Sequence, residues 1–281
     1  MKEISGTKVR KELLEKYKEI ISKEKLDISL TIIQVGNNES SNTYIKNKLK
    51  YTEEVGIKSN LIKLEESTSE EEILKLIKKL NKDPKVTGII LQSPLPKHID
   101  FTKCARSIAD AKDVDGFSEK NLFAIRDNNE QIIPCTVKGI LELFKYYKIP
   151  IEGQNIVVIG RSNIVGRPLA DALINRNATV TLCHSKTKDL EKHTKRADIV
   201  ISAVGKANFI TKDMVRKNFI GIDVGINIVN SKLVGDFSKD TSEKASYLTP
   251  VPGGVGPMTV AMIIDNLIEM KRNKKWKHVL F

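Results

Sequence analysis

An α/β fold in two domains, the second built on a doubly wound parallel sheet, is predicted by three observations on this 281-residue chain. Short apolar, β-branched runs alternate with helix-length polar segments from one end to the other, which is the pattern of strand–helix–strand units. Three of the runs in the second half stop at a glycine, namely Gly160, Gly205 and Gly225. The first of them belongs to Asn155–Pro168, N-I-V-V-I-G-R-S-N-I-V-G-R-P, a buried strand, a tight turn and a helix start.

Taken in order, Val9, Leu13, Leu14, Tyr17, Ile20 and Ile21 recur at helical spacing over residues 7–25 and make an amphipathic helix. Ser29–Val35 is then a strand closed by Gly36. Ser40 or Ser41 is expected to cap a helix that runs to about Val55, where Gly56 stops it. Tyr44 and Lys48 share one face of that helix. Ser59–Leu64 is a second strand, and Ser69–Leu80 a helix opened by a Ser69/Glu72 capping box. Val86–Leu91 is a third strand running into Gln92-Ser93-Pro94-Leu95-Pro96, where two prolines fix the chain and a Gln at the strand's end can reach a crevice. A short helical segment precedes Lys112-Asp113-Val114-Asp115-Gly116-Phe117. Pro134-Cys135-Thr136 and a helix from Val137 to about Tyr147 follow.

In the second half Ala178–Cys183, Ala197–Val204 and Phe219–Val224 continue the strands begun at Asn155. Leu248–Thr259 is too rich in Pro and Gly for regular structure, and it opens into a final helix from Thr259 to about Arg272. The domains are therefore drawn as 1–140, joined by a returning C-terminal helix within 260–281, and 141–259.

In doubly wound sheets the ligand crevice lies outside the carboxyl ends of the strands, and a glycine turn against a helix N-terminus suits a dinucleotide diphosphate. Gly160, Ser162 and Gly166 make G-x-S-x-x-x-G rather than the common G-x-G-x-x-G, so the spacing alone is a weak sign. The next strand is more informative. NAD sites place an acid near its end to grip the ribose 2′-hydroxyl, whereas this strand ends Cys183-His184-Ser185-Lys186, with none. Arg161 is the natural partner of a 2′-phosphate and Ser185 can donate to it, so NADP is expected over NAD.

Composition narrows the remaining classes. No apolar run approaches a membrane span, and Met1–Gly6 lacks the apolar core of a signal peptide, so a cytoplasmic protein without a membrane partner is expected. The three cysteines are far apart and never in a C-x-x-C pair, which points to neither a disulfide framework nor a metal site. A net charge of +12 invites nucleic acid, but only nine of the 47 basic residues are Arg and the lysines are scattered among glutamates. No nucleic-acid partner is expected.

Assembled, these motifs resemble the bifunctional methylenetetrahydrofolate dehydrogenase/methenyltetrahydrofolate cyclohydrolase (FolD) family over nearly the whole chain. The resemblance rests on Tyr44-x-x-x-Lys48, Gln92-x-Pro94-Leu95-Pro96, Lys112-Asp-Val-Asp115-Gly-Phe117, Pro134-Cys-Thr136, Gly160-Arg-Ser162-x-Ile-Val-Gly166-x-Pro168, Cys183-His-Ser185-x-Thr187 and Pro252-Gly-Gly-Val-Gly-Pro-Met-Thr259. It implies NADP-dependent oxidation of 5,10-methylenetetrahydrofolate, hydrolysis of the methenyl product to 10-formyltetrahydrofolate, a place in one-carbon metabolism, and a homodimer. By the same resemblance Lys48 is the catalytic group of the hydrolytic step, held by Gln92. Tyr44 stacks on the folate and Asp115 binds the pterin N–H donors. Leu91, Pro252, Gly253, Gly254, Gly256, Pro257 and Thr259 line the substrate pocket, and Gly160, Arg161, Ser162, Ser185 and Ile226 contact NADP.

Val137, Ala207, Ser93, Ser118 and the short Gly235-Asp236-Phe237 segment depart from the family pattern, and none is expected to touch Lys48, Gln92 or Asp115. Short-chain dehydrogenases also use Tyr-x-x-x-Lys, but there the pair follows the glycine turn, whereas Tyr44 precedes Gly160. A nucleotide-sensing regulator without chemistry is opposed by the presence of Lys48, Gln92 and Asp115 together.

Overall fold

A computed structural model describes residues 1–277, so residues 278–281 of the expected C-terminal segment lie outside the described residues. In chain order the first elements are β1 (Lys2–Glu3), α1 (Gly6–Lys23), β2 (Ser29–Val35), α2 (Glu39–Glu54), β3 (Lys58–Leu64), α3 (Glu70–Lys82), β4 (Gly88–Leu91), α4 (Phe101–Arg106), α5 (Glu119–Arg126) and α6 (Cys135–Tyr146). There follow β5 (Asn155–Ile159), α7 (Gly166–Ile174), β6 (Thr179–Cys183), α8 (Leu190–Thr194), β7 (Ile199–Ser202), β8 (Phe219–Asp223), β9 (Asn227–Val229), β10 (Lys232–Val234), β11 (Ala245–Leu248) and α9 (Val255–Lys277).

Two compact α/β units result. One comprises Glu12–Ala124, Glu130–Cys135 and the chain from Val260 on; the other comprises Met1–Lys11, Ile125–Asn129 and Thr136–Thr259. The first eleven residues group with the second half because Lys2 and Glu3 pair in parallel with Tyr247 and Leu248.

The first unit carries a three-stranded parallel sheet in the order β3-β2-β4. Its centre, S-L-T-I-I-Q-V, is buried beyond Ser29, as a central parallel strand covered on both faces must be. In α3 both halves of the Ser69/Glu72 capping box form, and acids in the first turn and lysines in the last match the helix dipole. Ile73, Ile77 and Leu80 then point one face of α3 into a core with Ile33, Val35, Ile89 and Leu91. Lys112, itself buried, donates to the carbonyls of Leu80 and Asp83 at 2.7 and 2.6 Å and so satisfies the carbonyl end of α3. The final helix returns to this unit. A Cβ on Gly88 would lie 2.6 Å from Leu267 Cδ2, and Arg272 pairs with Glu24.

The second unit has six strands in the order β1-β11-β8-β7-β5-β6, all parallel. From β5 the chain winds outward to β6, then crosses to lay β7 on the other side. The order therefore reverses between β5 and β7, the switch point at which doubly wound sheets of the Rossmann type bind dinucleotides.

Several boundaries differ from expectation, β4 starting at Gly88 rather than Val86 and α6 at Cys135 rather than Val137 among them, and two more are informative. Asn38, not Ser40 or Ser41, caps α2, its side chain accepting from Ser41 N at 3.1 Å. The last helix starts at Val255 rather than Thr259. Pro257 falls in its first turn, where a missing N–H leaves no bond unmade, so the Pro/Gly-rich stretch is partly helical.

Candidate active site and dinucleotide turn

Lys48 lies in the middle of α2, only 8% exposed, and its Nζ donates to Gln92 Oε1 at 3.0 Å. Gln92 is the first residue past β4, where its N–H still follows the ladder by donating to Ile33 O at 2.9 Å. Its amide is oriented from the far side, since Nε2 donates to Ser93 O at 2.7 Å and leaves Oε1 to accept from Lys48. Ser41 Oγ, from the first turn of α2, donates to the same Ser93 carbonyl at 3.2 Å. The helix and the strand end are thereby tied together on both sides of the pair. Ser93 thus does touch Gln92, contrary to expectation, but through its carbonyl, which any residue would supply.

One turn earlier on α2, Tyr44 is 37% exposed, and partial burial holds its phenol above the usual range, in the protonated form. Asp115 stands in the loop before α5. Burial lifts its carboxyl above the ordinary carboxylate range, the Lys48 charge pulls it back, the Asp113 charge adds to the rise, and a hydrogen bond from Cys135 opposes it. Asp113 is spent on the loop itself, accepting from Ser118 N at 2.6 Å and Asn121 Nδ2 at 3.0 Å. Gly116, at φ +72°, is required because a Cβ there would lie 2.8 Å from Pro134 N.

Sequence reasoning missed the residue that locks this loop. Asn266, fully buried on α9, donates through Nδ2 to Val114 O at 2.9 Å and Ile133 O at 3.0 Å. Cys135 Sγ adds a bond to Val114 O at 3.3 Å, so the backbone just before Asp115 is anchored twice. A polar position on an apolar helix was the only available signal. Leu91 packs its side chain into the core beneath the sheet, which leaves its backbone as what it can offer a ligand.

The six expected pocket residues from Pro252 to Thr259 belong to the other unit. There Gly253 O accepts from Thr7 N at 3.0 Å, and a Cβ on Gly254 would lie 2.6 Å from Pro250 O. Gly256 faces Ile226, whose side chain is 43% exposed.

The glycine turn is built by backbone against backbone. Gly160 has φ +114°, and a Cβ on it would lie 2.5 Å from Ala203 O; one on Gly166 would lie 1.9 Å from Gly160 O. Ser162 Oγ accepts from Val165 N at 3.2 Å and Gly166 N at 3.4 Å, satisfying two N–H groups where the turn enters α7. Arg161 is exposed and, among the described residues, makes no hydrogen bond or ion pair. Past β6 the chain turns as Thr187 Oγ1 accepts from His184 N at 2.9 Å, leaving Ser185 exposed between His184 and Lys186 with no acid on this turn. Gly160, Arg161, Ser162 and Ser185 therefore cluster at the ends of adjacent strands β5 and β6. Lys48, Gln92 and Asp115 are brought together in the first unit.

Among the described residues no helix is long and apolar enough to cross a membrane. Residues 4–115 match the profile of the tetrahydrofolate dehydrogenase/cyclohydrolase catalytic domain, and residues 134–275 that of the family's NAD(P)-binding domain. The chain is 47% identical over 274 residues to a bifunctional protein FolD of a Nitratiruptor species, covering 94% of this chain and 97% of that one. It is 44% identical to the bifunctional FolD enzyme of Campylobacter jejuni in crystal form, with a TM-score of 0.95 over 98% of this chain and 99% of the other. A Trypanosoma brucei dehydrogenase-cyclohydrolase solved with NADP cofactor and inhibitor is 32% identical, with a TM-score of 0.92 over 97% and 98% of the two chains. On these grounds the chain belongs to the tetrahydrofolate dehydrogenase/cyclohydrolase family.

Proposed function

We propose that the chain oxidises 5,10-methylenetetrahydrofolate with NADP⁺ and hydrolyses the methenyl product to 10-formyltetrahydrofolate, with Lys48 as the proton acceptor of the second step. The observation that carries this is the 3.0 Å bond from Lys48 Nζ to Gln92 Oε1, with Asp115 close enough to feel the lysine's charge. The dinucleotide supplies a hydride acceptor. Loss of hydride from the one-carbon bridge leaves a cation shared by two flanking nitrogens, so this step needs alignment more than proton transfer. Water then adds to that carbon, its proton passing to the Lys48 amine. The bond from carbon to N5 breaks, N5 takes a proton, and the 10-formyl group remains.

Gln92 aims the amine, Tyr44 offers a ring to stack on, and Asp115 presents acceptors to the pterin N–H groups. Among the described residues of the first unit, no acid or base is better placed to serve the hydrolytic step.

NADP rather than NAD is supported by Arg161, unengaged by protein partners among the described residues, and by the acid-free turn around Ser185. Arg161→Ala is expected to raise the KM for NADP⁺ by the equivalent of about 1.5–3 kcal/mol while hardly changing that for NAD⁺. Absorbance assays of methenyltetrahydrofolate formation and decay with each dinucleotide test both points. Equal losses for the two would remove Arg161 from 2′-phosphate recognition, and no methenyl compound with either would remove the whole reading.

A homodimer fits the exposed apolar residues of the β9–β10 hairpin, Ile228, Val229 and Leu233. Sedimentation of the parent at micromolar concentration should give twice the chain mass, and Leu233→Lys should lower it; a monomeric parent contradicts the assignment.

A further inference from the structure

The second unit buries two carboxylates that the proposed chemistry does not use, Asp223 at 4% and Asp236 at 0% exposure. Asp236 Oδ2 accepts from Ser202 Oγ at 2.9 Å, Val204 N at 2.9 Å and Gly205 N at 3.3 Å. Its Oδ1 accepts from Lys206 N at 2.8 Å and Asn227 Nδ2 at 3.3 Å. Three successive N–H groups turned onto one anion form a nest of the kind that elsewhere binds phosphate, filled here by the protein's own side chain.

Asp223 in turn holds the backbone of Asp236. Its Oδ1 accepts from Asp236 N at 2.9 Å and Gly225 N at 3.2 Å, and its Oδ2 from Phe237 N at 2.9 Å. Glycines stand where the chain passes closest to these carboxylates. A Cβ on Gly225 would come 1.9 Å from Asp236 Oδ1, and one on Gly235 would come 1.9 Å from Asp223 Oδ2.

The loop that Asp236 gathers is the one that follows β7. At its start Ala203 N donates to Ile159 O at 2.8 Å, and Ala203 O is the atom that a Cβ on Gly160 would strike. Because the strand order reverses between β5 and β7, this loop and the glycine turn are the two walls of the dinucleotide crevice.

We infer that Asp236 is a positioning residue for dinucleotide binding: its buried carboxylate fixes the loop after β7 against the glycine turn. The inference rests on the dinucleotide reading of that turn. Hydrolysis of methenyltetrahydrofolate consumes no dinucleotide, so the two reactions respond differently to its loss.

Asp236→Asn keeps the size of the side chain but turns an NH₂ donor toward N–H groups that need an acceptor. With folding checked by circular dichroism, calorimetric titration with NADP⁺ is expected to show a Kd raised about 10- to 100-fold, with the KM for NADP⁺ rising alongside. Hydrolysis of supplied methenyltetrahydrofolate without dinucleotide should stay near the parent rate. Ser202→Ala removes one donor and leaves the carboxylate, so it should move the same Kd in the same direction by less, and it stands in if Asp236→Asn does not fold.

An unchanged Kd in the folded variant, or hydrolysis and NADP⁺ binding lost in equal measure, would overturn the role of Asp236. A parent chain that binds neither NADP⁺ nor NAD⁺ would instead overturn the reading beneath it.

Discussion

Lys48→Met is expected to slow hydrolysis of methenyltetrahydrofolate by about 10²–10⁴-fold, or roughly 3–5 kcal/mol of barrier, while slowing NADP⁺ reduction less. Methionine keeps most of the volume of the buried lysine stem and removes the amine that donates to Gln92. Tyr44 and Asp115, the proposed folate contacts, are left in place, and hydride transfer requires only alignment, so the methenyl compound should accumulate during turnover. A second signature lies in pH. Burial raises the Asp115 carboxyl, and the charge of Lys48 lowers it part of the way back. Without that charge Asp115 binds its proton to a higher pH, so the acid limb of kcat/KM for folate, where the carboxylate is lost as an acceptor, should move upward in the variant. A limb that moves down or stays in place would separate Asp115 from Lys48.

Gly166→Ala should abolish dinucleotide use at ordinary concentrations. The added Cβ would lie 1.9 Å from Gly160 O and 2.7 Å from its carbonyl carbon, both backbone atoms of a turn already pinned by Ala203. Neither side can yield as a flexible side chain would, so α7 and the turn must part by more than an ångström. Displacements of about that size typically cost about 10²-fold in a positioned reaction, and overpacking adds about 1–3 kcal/mol of lost stability. Calorimetric titration with NADP⁺ should show binding at least about 10²-fold weaker, with hydrolysis of supplied methenyltetrahydrofolate largely kept. Parent-like NADP⁺ affinity would mean that the nucleotide does not depend on this turn.

How much of this was legible in the sequence depended on whether a signal was local. Strand–helix alternation, the Ser69/Glu72 capping box and the glycine turn are all written within a few residues, and each forms as read. Lys2–Glu3 gave no such signal, because a two-residue strand has no period and its partner, Tyr247–Leu248, lies at the far end of the chain. The β9–β10 hairpin has three-residue strands and turns through Asn230 and Ser231, both at positive φ, with no glycine to mark it. Asn38, Ser40 and Ser41 are all good caps within four residues, and local propensity cannot rank them.

The site divides in the same way. Helical spacing put Tyr44 and Lys48 on one face, yet only the family resemblance linked Lys48 to Gln92, which a different strand end delivers. The roles of Asn266 and Asp236 were not legible because most of their partners are backbone groups distant in sequence: a polar position on an apolar helix marks Asn266 only faintly, and Asp236 stood out only for the short segment around it.

The central claim is that Lys48 and Gln92 act as one unit in hydrolysis, and a double-mutant cycle tests it most directly. Initial rates of methenyltetrahydrofolate hydrolysis would be measured without dinucleotide for the parent, Lys48→Met, Gln92→Ala and the double variant. If Gln92 acts by aiming the amine, removing it from Lys48→Met should cost almost nothing further, and the double variant should be about as slow as Lys48→Met alone. Losses that multiply would show that Gln92 acts independently of the amine and contradict the claim, and a Lys48→Met variant that hydrolyses at the parent rate while NADP⁺ reduction collapses would place the proton acceptor elsewhere.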